Sequence, residues 1–254
     1  MVDQDARRAF LTLAGSSALL AACRKQTQAH PEPTPQVVAS APAAAASAKE
    51  AKQAPEGDEV SATEDLMREH GVIRRILVVY RLSAVRLRVR AASVPLDALQ
   101  RAAKLLHTFG EEYHEKQLEE AHLFPAVKAA GGAAAGEIAT LLAQHQRGRE
   151  ITDYILAVSQ KPIAAAAEPL ARTLEAFALM YEEHAAREDT IVFPAWKKAL
   201  SAKQLDEMGE LFEDIEHKTF GKDGFDDAVE QIAAIERSLG LEPASLTAPP
   251  PPKA

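Results

Sequence analysis

The sequence predicts an all-α protein, an antiparallel four-helix bundle with two extra C-terminal helices. Ala, Leu, Glu, Arg and Lys dominate the middle of the chain, where Gly and Pro are scarce, and this composition favours helices over strands. Four long helical stretches follow one another through short connections, which makes neighbouring helices antiparallel and packs them as a bundle.

The helix boundaries follow from capping residues, prolines and glycines. Ser61 with Glu64 and Ser201 with Gln204 have the spacing of a capping box, and Pro95 suits the first turn of a helix. The predicted helices span approximately residues 61–92, 95–130, 135–160, 164–200, 201–218 and 225–239. The last two are expected to pack on the outside of the bundle or across one end.

Length and charge limit the possible functions. With 254 residues the chain has room for one sizeable domain and its tails, and the composition is that of a soluble globular protein. The formal net charge of -8 leaves no basic excess to neutralise phosphates, so a nucleic-acid partner is not expected. The sequence gives no indication of the oligomeric state.

The first 23 residues have the features of an export signal. The pair Arg7-Arg8 precedes a short apolar stretch that ends at Cys23, an order that resembles a twin-arginine signal joined to a lipobox. This predicts an exported periplasmic or cell-envelope lipoprotein that touches the membrane only through a lipid anchor at Cys23. Cys23 is the single cysteine, so disulfides within the chain and thiolate-held clusters are excluded.

Composition divides the rest of the chain into three parts. Residues 24–60 are rich in Pro, Ala and polar side chains and predict a disordered tether. Residues 61–240 hold the helical domain, and residues 241–254 form a flexible Pro-rich tail.

Four histidines lie on the apolar faces of the four long helices, one on each. At 100° per residue each of them shares its face with apolar or aromatic residues of its own helix. A lone buried histidine is more often a hydrogen-bonded core residue than a ligand, but one on every inner face indicates a common site. The four are His70, His114, His145 and His184.

Glutamates accompany these histidines in a twofold repeat. Glu188 follows His184 by four residues, so both project from one helix face. Glu119 and Glu188 each precede a proline by six residues. A buried unpaired carboxylate is costly, and a divalent cation removes that cost by coordinating it. Four imidazoles and two carboxylates from four helices are the materials of a dinuclear metal site.

The fragments TEDLMREHGVIRRIL, EEYHEKQLEEAHLFPAV, QHQRGREITD and HAAREDTIVFPAW resemble a bacterial hemerythrin-like (HHE cation-binding) domain. The resemblance covers approximately residues 61–247 and implies a pair of non-haem iron ions. Carried over residue by residue, it implies six metal ligands: His70, His114, Glu119, His145, His184 and Glu188.

The second helix leaves one carboxylate open. His114 and Glu119 are five residues apart, which separates them by about 140° on a regular α-helix. A π-bulge between them would restore the alignment. Without one, Glu115 is the alternative ligand.

Further alternatives remain around this set. Asp189 is an alternative to Glu188, and His122 or His217 could add a fifth imidazole, which the animal oxygen carriers of the family have on their third helix. Three tyrosines near the ligands are core residues by default and candidates for hydrogen bonds to bound oxygen species. They are Tyr80, Tyr113 and Tyr181.

The resemblance implies binding of dioxygen, peroxide or nitric oxide, in sensing or detoxification. A peroxidase or catalase-like activity at the same centre is left open. The alternative is iron storage, or an envelope interaction module with a degenerate metal site. No Ser-His-Asp arrangement, phosphate-binding loop or zinc-protease motif indicates a hydrolase.

Overall fold

A computed structural model describes residues 60–160 and 166–252. The predicted export signal, Cys23 and the tether up to residue 59 lie outside these ranges. All regular secondary structure in the described residues is helical, as the sequence predicts. None of the helices in these ranges is both long enough and apolar enough to cross a membrane.

The described residues form six helices, which we label α1 to α6. Four of them are regular: α1 is Ala62–Arg90, α3 is Gly132–Val158, α5 is Ala202–Phe220 and α6 is Gly224–Leu239. Short 3-10 turns follow α1 at Ala91–Ser93 and follow α6 at Pro243–Leu246.

Helices α2 and α4 each contain a π-helical segment between two α-helical ones. Helix α2 comprises Leu96–Leu105, the π segment Leu106–Leu123 and Phe124–Ala130. Helix α4 comprises Ala167–Arg187, the π segment Glu188–Val192 and Phe193–Ala199.

Both π segments end in the same way. The N–H of Phe124 donates to the carbonyl of Glu119, and that of Phe193 donates to the carbonyl of Glu188. A proline follows each phenylalanine and supplies no N–H, so each change of helical register falls where a backbone hydrogen bond is lost in any case.

Ion pairs between helices show that neighbouring helices of the bundle run antiparallel. Helix α1 packs most extensively against α4, and residue numbers rise along α1 as those of its partners fall along α4. The pairs are Arg74 with Asp189, Arg81 with Glu182, and Arg88 with Glu175. Helix α3 runs antiparallel to α2 in the same sense, with Arg149 bonded to Glu115 and Thr152 bonded to Glu111.

The predicted helix starts are largely confirmed. The Ser61 hydroxyl accepts the N–H of Glu64, and Ser201 with Gln204 forms a complete capping box. Helix α3 begins at residue 132, three residues earlier than predicted. Gly131, with a φ of 73°, is the whole connection between α2 and α3, because a glycine tolerates this left-handed backbone.

The two C-terminal helices pack on the outside of the bundle. Helix α6 lies against α1 and α2, and Arg75 of α1 makes two hydrogen bonds to Glu236. Helix α5 contributes one fully buried side chain, Phe212, whose ring stacks on Trp196 at 5.9 Å between centroids. Both helices therefore cover the bundle from outside, and α6 adds its buried apolar face to the core.

Candidate metal centre

The interior of the bundle holds many ionisable side chains. Five glutamates and four histidines are at most 3% exposed, whereas no Lys or Arg of the described ranges is buried. Carboxylates buried without a balancing cation carry a large desolvation cost. The nine residues are Glu69, His70, Glu111, His114, Glu115, Glu119, His145, His184 and Glu188.

All six predicted ligands come together in two groups that share one glutamate. In each group the candidate ligand atoms lie within 4.8 Å of one another. The first group is His70, His114 and Glu119, and the second is Glu119, His145, His184 and Glu188.

Glu119 lies between the two groups. One of its oxygens, Oε1, is 3.5 Å from His114 Nε2, and the other, Oε2, is 3.4 Å from His145 Nε2. The π-helical hydrogen bonding of α2 permits this, because a five-residue repeat returns Glu119 to the face of His114. The extra residue between them is therefore absorbed by the backbone.

Glu188 occupies the corresponding place on α4. Its Oε2 is 3.1 Å from His184 Nε2 and 3.4 Å from His70 Nε2, while Oε1 is 4.0 Å from His145 Nε2. The oxygens of Glu119 and Glu188, together with His114 Nε2, are buried, and their contacts with neighbouring groups lack the angles of a hydrogen bond. These oxygens and this imidazole nitrogen face the same interior region, and such atoms suit a pair of hard or borderline cations.

Each of the four imidazoles is oriented by a hydrogen bond at Nδ1. A carboxylate or amide oxygen accepts the Nδ1–H there, which turns Nε2 of each ring toward the centre. The pairs are His70 with Asp189 at 2.8 Å, His114 with Glu69 at 2.5 Å, His145 with Glu120 at 2.9 Å, and His184 with Gln144 at 3.0 Å.

Sequence reasoning missed three of these partners, Glu69, Glu120 and Gln144. The signal lies in an extension of the repeat. Glu69 and Gln144 directly precede the single histidines of α1 and α3, and Glu120 directly follows Glu119 as Asp189 follows Glu188.

Two alternative ligands have other partners. Asp189 bonds to His70 Nδ1 and to Arg74, so it supports a ligand from behind. Glu115 accepts the hydroxyl of Tyr181 at 2.5 Å and Arg149 at 3.1 Å.

A third group of possible ligand atoms, formed by Glu115, Glu120 and His145, already contains a cation. Arg149 lies 3.1 Å from the first carboxylate and 3.0 Å from the second. This guanidinium occupies the place that a metal ion would need.

The remaining histidines lie apart from the centre. His217 is exposed, with Nδ1 2.9 Å from the carbonyl of Glu213, and His122 is half-buried beside Phe212. His107 pairs with Glu111 at 3.0 Å. None of the three belongs to a group of possible metal ligands within the described ranges.

Aromatic rings extend the twofold relation. Phe193 stacks on His70 at 5.3 Å and 21°, and Phe124 stacks on His145 at 5.4 Å and 18°. These rings come from the positions just before the two prolines. The π segment of α2 therefore positions both Glu119 and Phe124, which packs on His145 of α3, and the π segment of α4 positions both Glu188 and Phe193, which packs on His70 of α1.

The buried carboxylates favour positive charge on the neighbouring imidazoles. Burial lowers the pKa of His145, but the carboxylates of Glu115 and Glu119 outweigh it and raise that pKa to about 10. Burial raises the pKa of Glu188, yet the neighbouring His184 holds it well below its usual range. A metal ion entering here displaces protons from imidazoles.

A small cavity of about 10 Å³ borders the centre, roughly the space of one water molecule. Ile73, Tyr181 and Ala185 line it together with His70 and His184. It is the candidate place for an external ligand.

Comparison with known proteins agrees with this geometry. The family model for the hemerythrin HHE cation binding domain matches residues 61–196. The chain belongs to this family. The match ends within the last segment of α4, so the family domain is the four-helix bundle that carries the six residues.

Similar proteins occur in mycobacteria. Uncharacterized proteins from Mycobacterium bovis and from two strains of Mycobacterium tuberculosis are each 45% identical over 186 residues, which cover 72% of this chain and 71% of each relative. No solved structure matches the chain. Membership of the HHE family indicates cation binding. The two groups of histidines and glutamates are the places where this chain can bind a cation.

Proposed function

We propose that this HHE-family protein holds two non-haem iron ions and binds dioxygen, peroxide or nitric oxide beside them, in sensing or detoxification at the cell envelope. The observation that carries the proposal is the placement of Glu119, whose two oxygens face His114 and His145 at 3.5 Å and 3.4 Å. A carboxylate aimed both ways suits a pair of ions.

The ligands divide evenly between two positions. His70 and His114 would hold the first ion, His145 and His184 would hold the second, and Glu119 and Glu188 would serve both. With four protein side chains for each ion, each position would keep room for an external ligand. When bound, ferrous iron supplies electrons and Lewis acidity to such a ligand.

The residues around the cavity limit what enters. A space of about 10 Å³ has the size of one water molecule, so it favours very small ligands, and Ile73 and Ala185 give it apolar walls. Tyr181 directs its hydroxyl to Glu115 at 2.5 Å, so this phenol is held in place at the edge of the space. Dioxygen, peroxide and nitric oxide, with two heavy atoms each, are among the smallest ligands that ferrous iron binds.

The location at the envelope rests on the N-terminal sequence. Arg7-Arg8, the apolar stretch and Cys23 together support export and lipid attachment. Twin-arginine export carries folded proteins, which suits a centre loaded with iron before transport.

The test is anaerobic loading of the full-length protein with ferrous iron, followed by metal analysis and absorption spectroscopy. We expect two irons per chain and, after oxidation, charge-transfer bands that change on adding azide or peroxide. His184→Ala should lose iron, whereas His217→Ala, which changes an exposed histidine outside the centre, should keep both ions. Iron absent after loading contradicts the proposal.

The same experiment separates the other functions. Turnover of peroxide that is lost in His184→Ala and Glu188→Ala would indicate a peroxidase or catalase-like enzyme. Iron that exchanges readily and gives no response to azide, peroxide or nitric oxide would indicate iron storage or an envelope interaction module.

A further inference from the structure

The two halves of the candidate metal centre differ at one pair of equivalent residues. The residue before His70 is Glu69, and the residue before His145 is Gln144. Each crosses to the other histidine of its own half: Glu69 bonds to Nδ1 of His114, and Gln144 bonds to Nδ1 of His184. The repeat thus places a carboxylate in one half and a neutral amide in the other.

The contact lengths follow this difference in charge. The oxygen of Glu69 is 2.5 Å from His114, and the oxygen of Gln144 is 3.0 Å from His184. Hydrogen bonds to an ionised acceptor are shorter and stronger than those to a neutral one.

Glu69 has no Lys or Arg partner among the described residues, and its one ion pair there is with His114. It is 1% exposed, and its second oxygen is buried without a hydrogen-bond partner. Gln144 is half-buried.

The other orienting carboxylates balance between the halves. Asp189, behind His70, is paired with Arg74, and Glu120, behind His145, is paired with Arg149. Glu115 approaches His145 Nδ1 at 3.9 Å, but Arg149 and the Tyr181 hydroxyl both donate to it. Glu115 and Glu120 share the single guanidinium of Arg149, so each half keeps one carboxylate without its own Arg. The halves differ in the acceptor that is bonded directly to Nδ1, which is the carboxylate of Glu69 on His114 and the amide of Gln144 on His184.

A carboxylate behind an imidazole makes it a stronger electron donor to a metal ion. We propose that the two metal positions are unequal, and that Glu69 makes the position of His70 and His114 the tighter one and the one that becomes ferric first. This inference rests on the proposed two-metal centre. It assigns to Glu69 a positioning and tuning role, since this residue acts on the ion through His114.

Titration of the metal-free, full-length protein with cobalt(II) tests this inequality without redox chemistry. We expect two binding steps. Glu69→Gln should weaken the tighter step by about 10- to 100-fold, the range found for residues that support metal ligands. Gln144→Glu should leave the tighter step unchanged and strengthen the weaker one, and the double exchange Glu69→Gln with Gln144→Glu should restore two unequal steps.

The variants are matched in shape, and the chain itself shows that a glutamine fits this role, because Gln144 already fills it. Equal effects of Glu69→Gln on both steps, or no effect on either, would overturn the inference. If Glu69→Gln does not fold, Gln144→Glu decides alone: no strengthening of the weaker step counts against it.

Oxidation of the diferrous protein with ferricyanide supplies a second measurement. Each ferricyanide takes one electron from one ferrous ion and becomes ferrocyanide. Glu69→Gln should raise the lower of the two reduction potentials more than the upper one, and Mössbauer spectra should show the change in the ferric site of the half-oxidised protein. If the natural protein binds no pair of iron ions, the proposed function is wrong. If Glu69→Gln binds the pair normally and its two reduction potentials are unshifted, only this inference is wrong.

Discussion

Gly148 lies directly against the phenol of Tyr181. A Cβ atom added to Gly148 would lie 2.1 Å from the tyrosine hydroxyl and 2.9 Å from two ring carbons. The missing side chain on α3 therefore makes the space in which Tyr181 reaches Glu115. Tyr181 and Glu115 form one edge of the cavity beside the candidate metal centre.

Gly148→Ala should displace Tyr181 and break its hydrogen bond to Glu115. We expect a loss of about 1–3 kcal/mol in the free energy of unfolding, the usual cost of overpacking a core. Denaturant unfolding measures it. Gly136→Ala is the control: Gly136 lies on the same helix with open space around it, so alanine should stabilise by about 0.4–1 kcal/mol. Equal effects of both changes would contradict the packing argument.

Glu119→Gln should remove most of the bound iron, because an amide offers one weak oxygen where the carboxylate offers two. Glu115→Gln should keep the iron, since Glu115 faces Tyr181 and Arg149. Metal analysis of both variants after identical loading makes the comparison. Iron lost from Glu115→Gln and kept in Glu119→Gln would show that the other carboxylate of α2 is the ligand.

The fold should lose stability as the pH rises from about 4 to about 7 because of Asp65. Burial, together with the charge of Glu69, raises the pKa of Asp65 from 3.8 to about 7. Over this range the folded state binds a proton that the unfolded state has released, so unfolding becomes easier with rising pH.

Asp65→Asn removes this titrating carboxyl and should reduce the loss of stability between about pH 4 and about pH 7, as measured by urea unfolding. Asp97→Asn changes another first-turn aspartate, whose side chain is 76% exposed, and should leave the loss as it is in the natural protein. An unchanged pH dependence in Asp65→Asn would contradict the assignment.

Phe212→Ala should detach helix α5 from the bundle. Phe212 is the one fully buried residue of that helix, and truncating a buried Phe costs about 3–5 kcal/mol. Hydrogen exchange should show faster exchange at α5 amides while α1 and α4 keep their protection. Faster exchange spread evenly over all helices would mean that α5 is integral to the bundle core.

The helices were predictable because their end signals are local. Ser61 and Ser201 cap the helices that follow them, and the glycines at 131 and 221 end the helices before them. The early start of α3 was missed because two adjacent glycines indicate a longer break than the single-residue connection at Gly131. The sequence left two alternatives for the second helix, a π-bulge between His114 and Glu119 or Glu115 as the ligand, and the structure has π-helical bonding there.

The partners behind the histidines could not be predicted in the same way. Glu69 is one residue from His70 and so points about 100° away from it, toward another helix. Whether it meets His114 depends on how α1 and α2 are rotated against each other, which periodicity within one helix does not determine. Gln144 and Glu120 escaped prediction for the same reason.

The most direct test of the two-iron centre is anomalous diffraction at the iron edge from crystals of the iron-loaded protein. We predict two peaks, one bonded to His70 and His114 and the other to His145 and His184, with the Glu119 carboxylate between them. A single peak, or peaks that do not contact Glu119, would contradict the account.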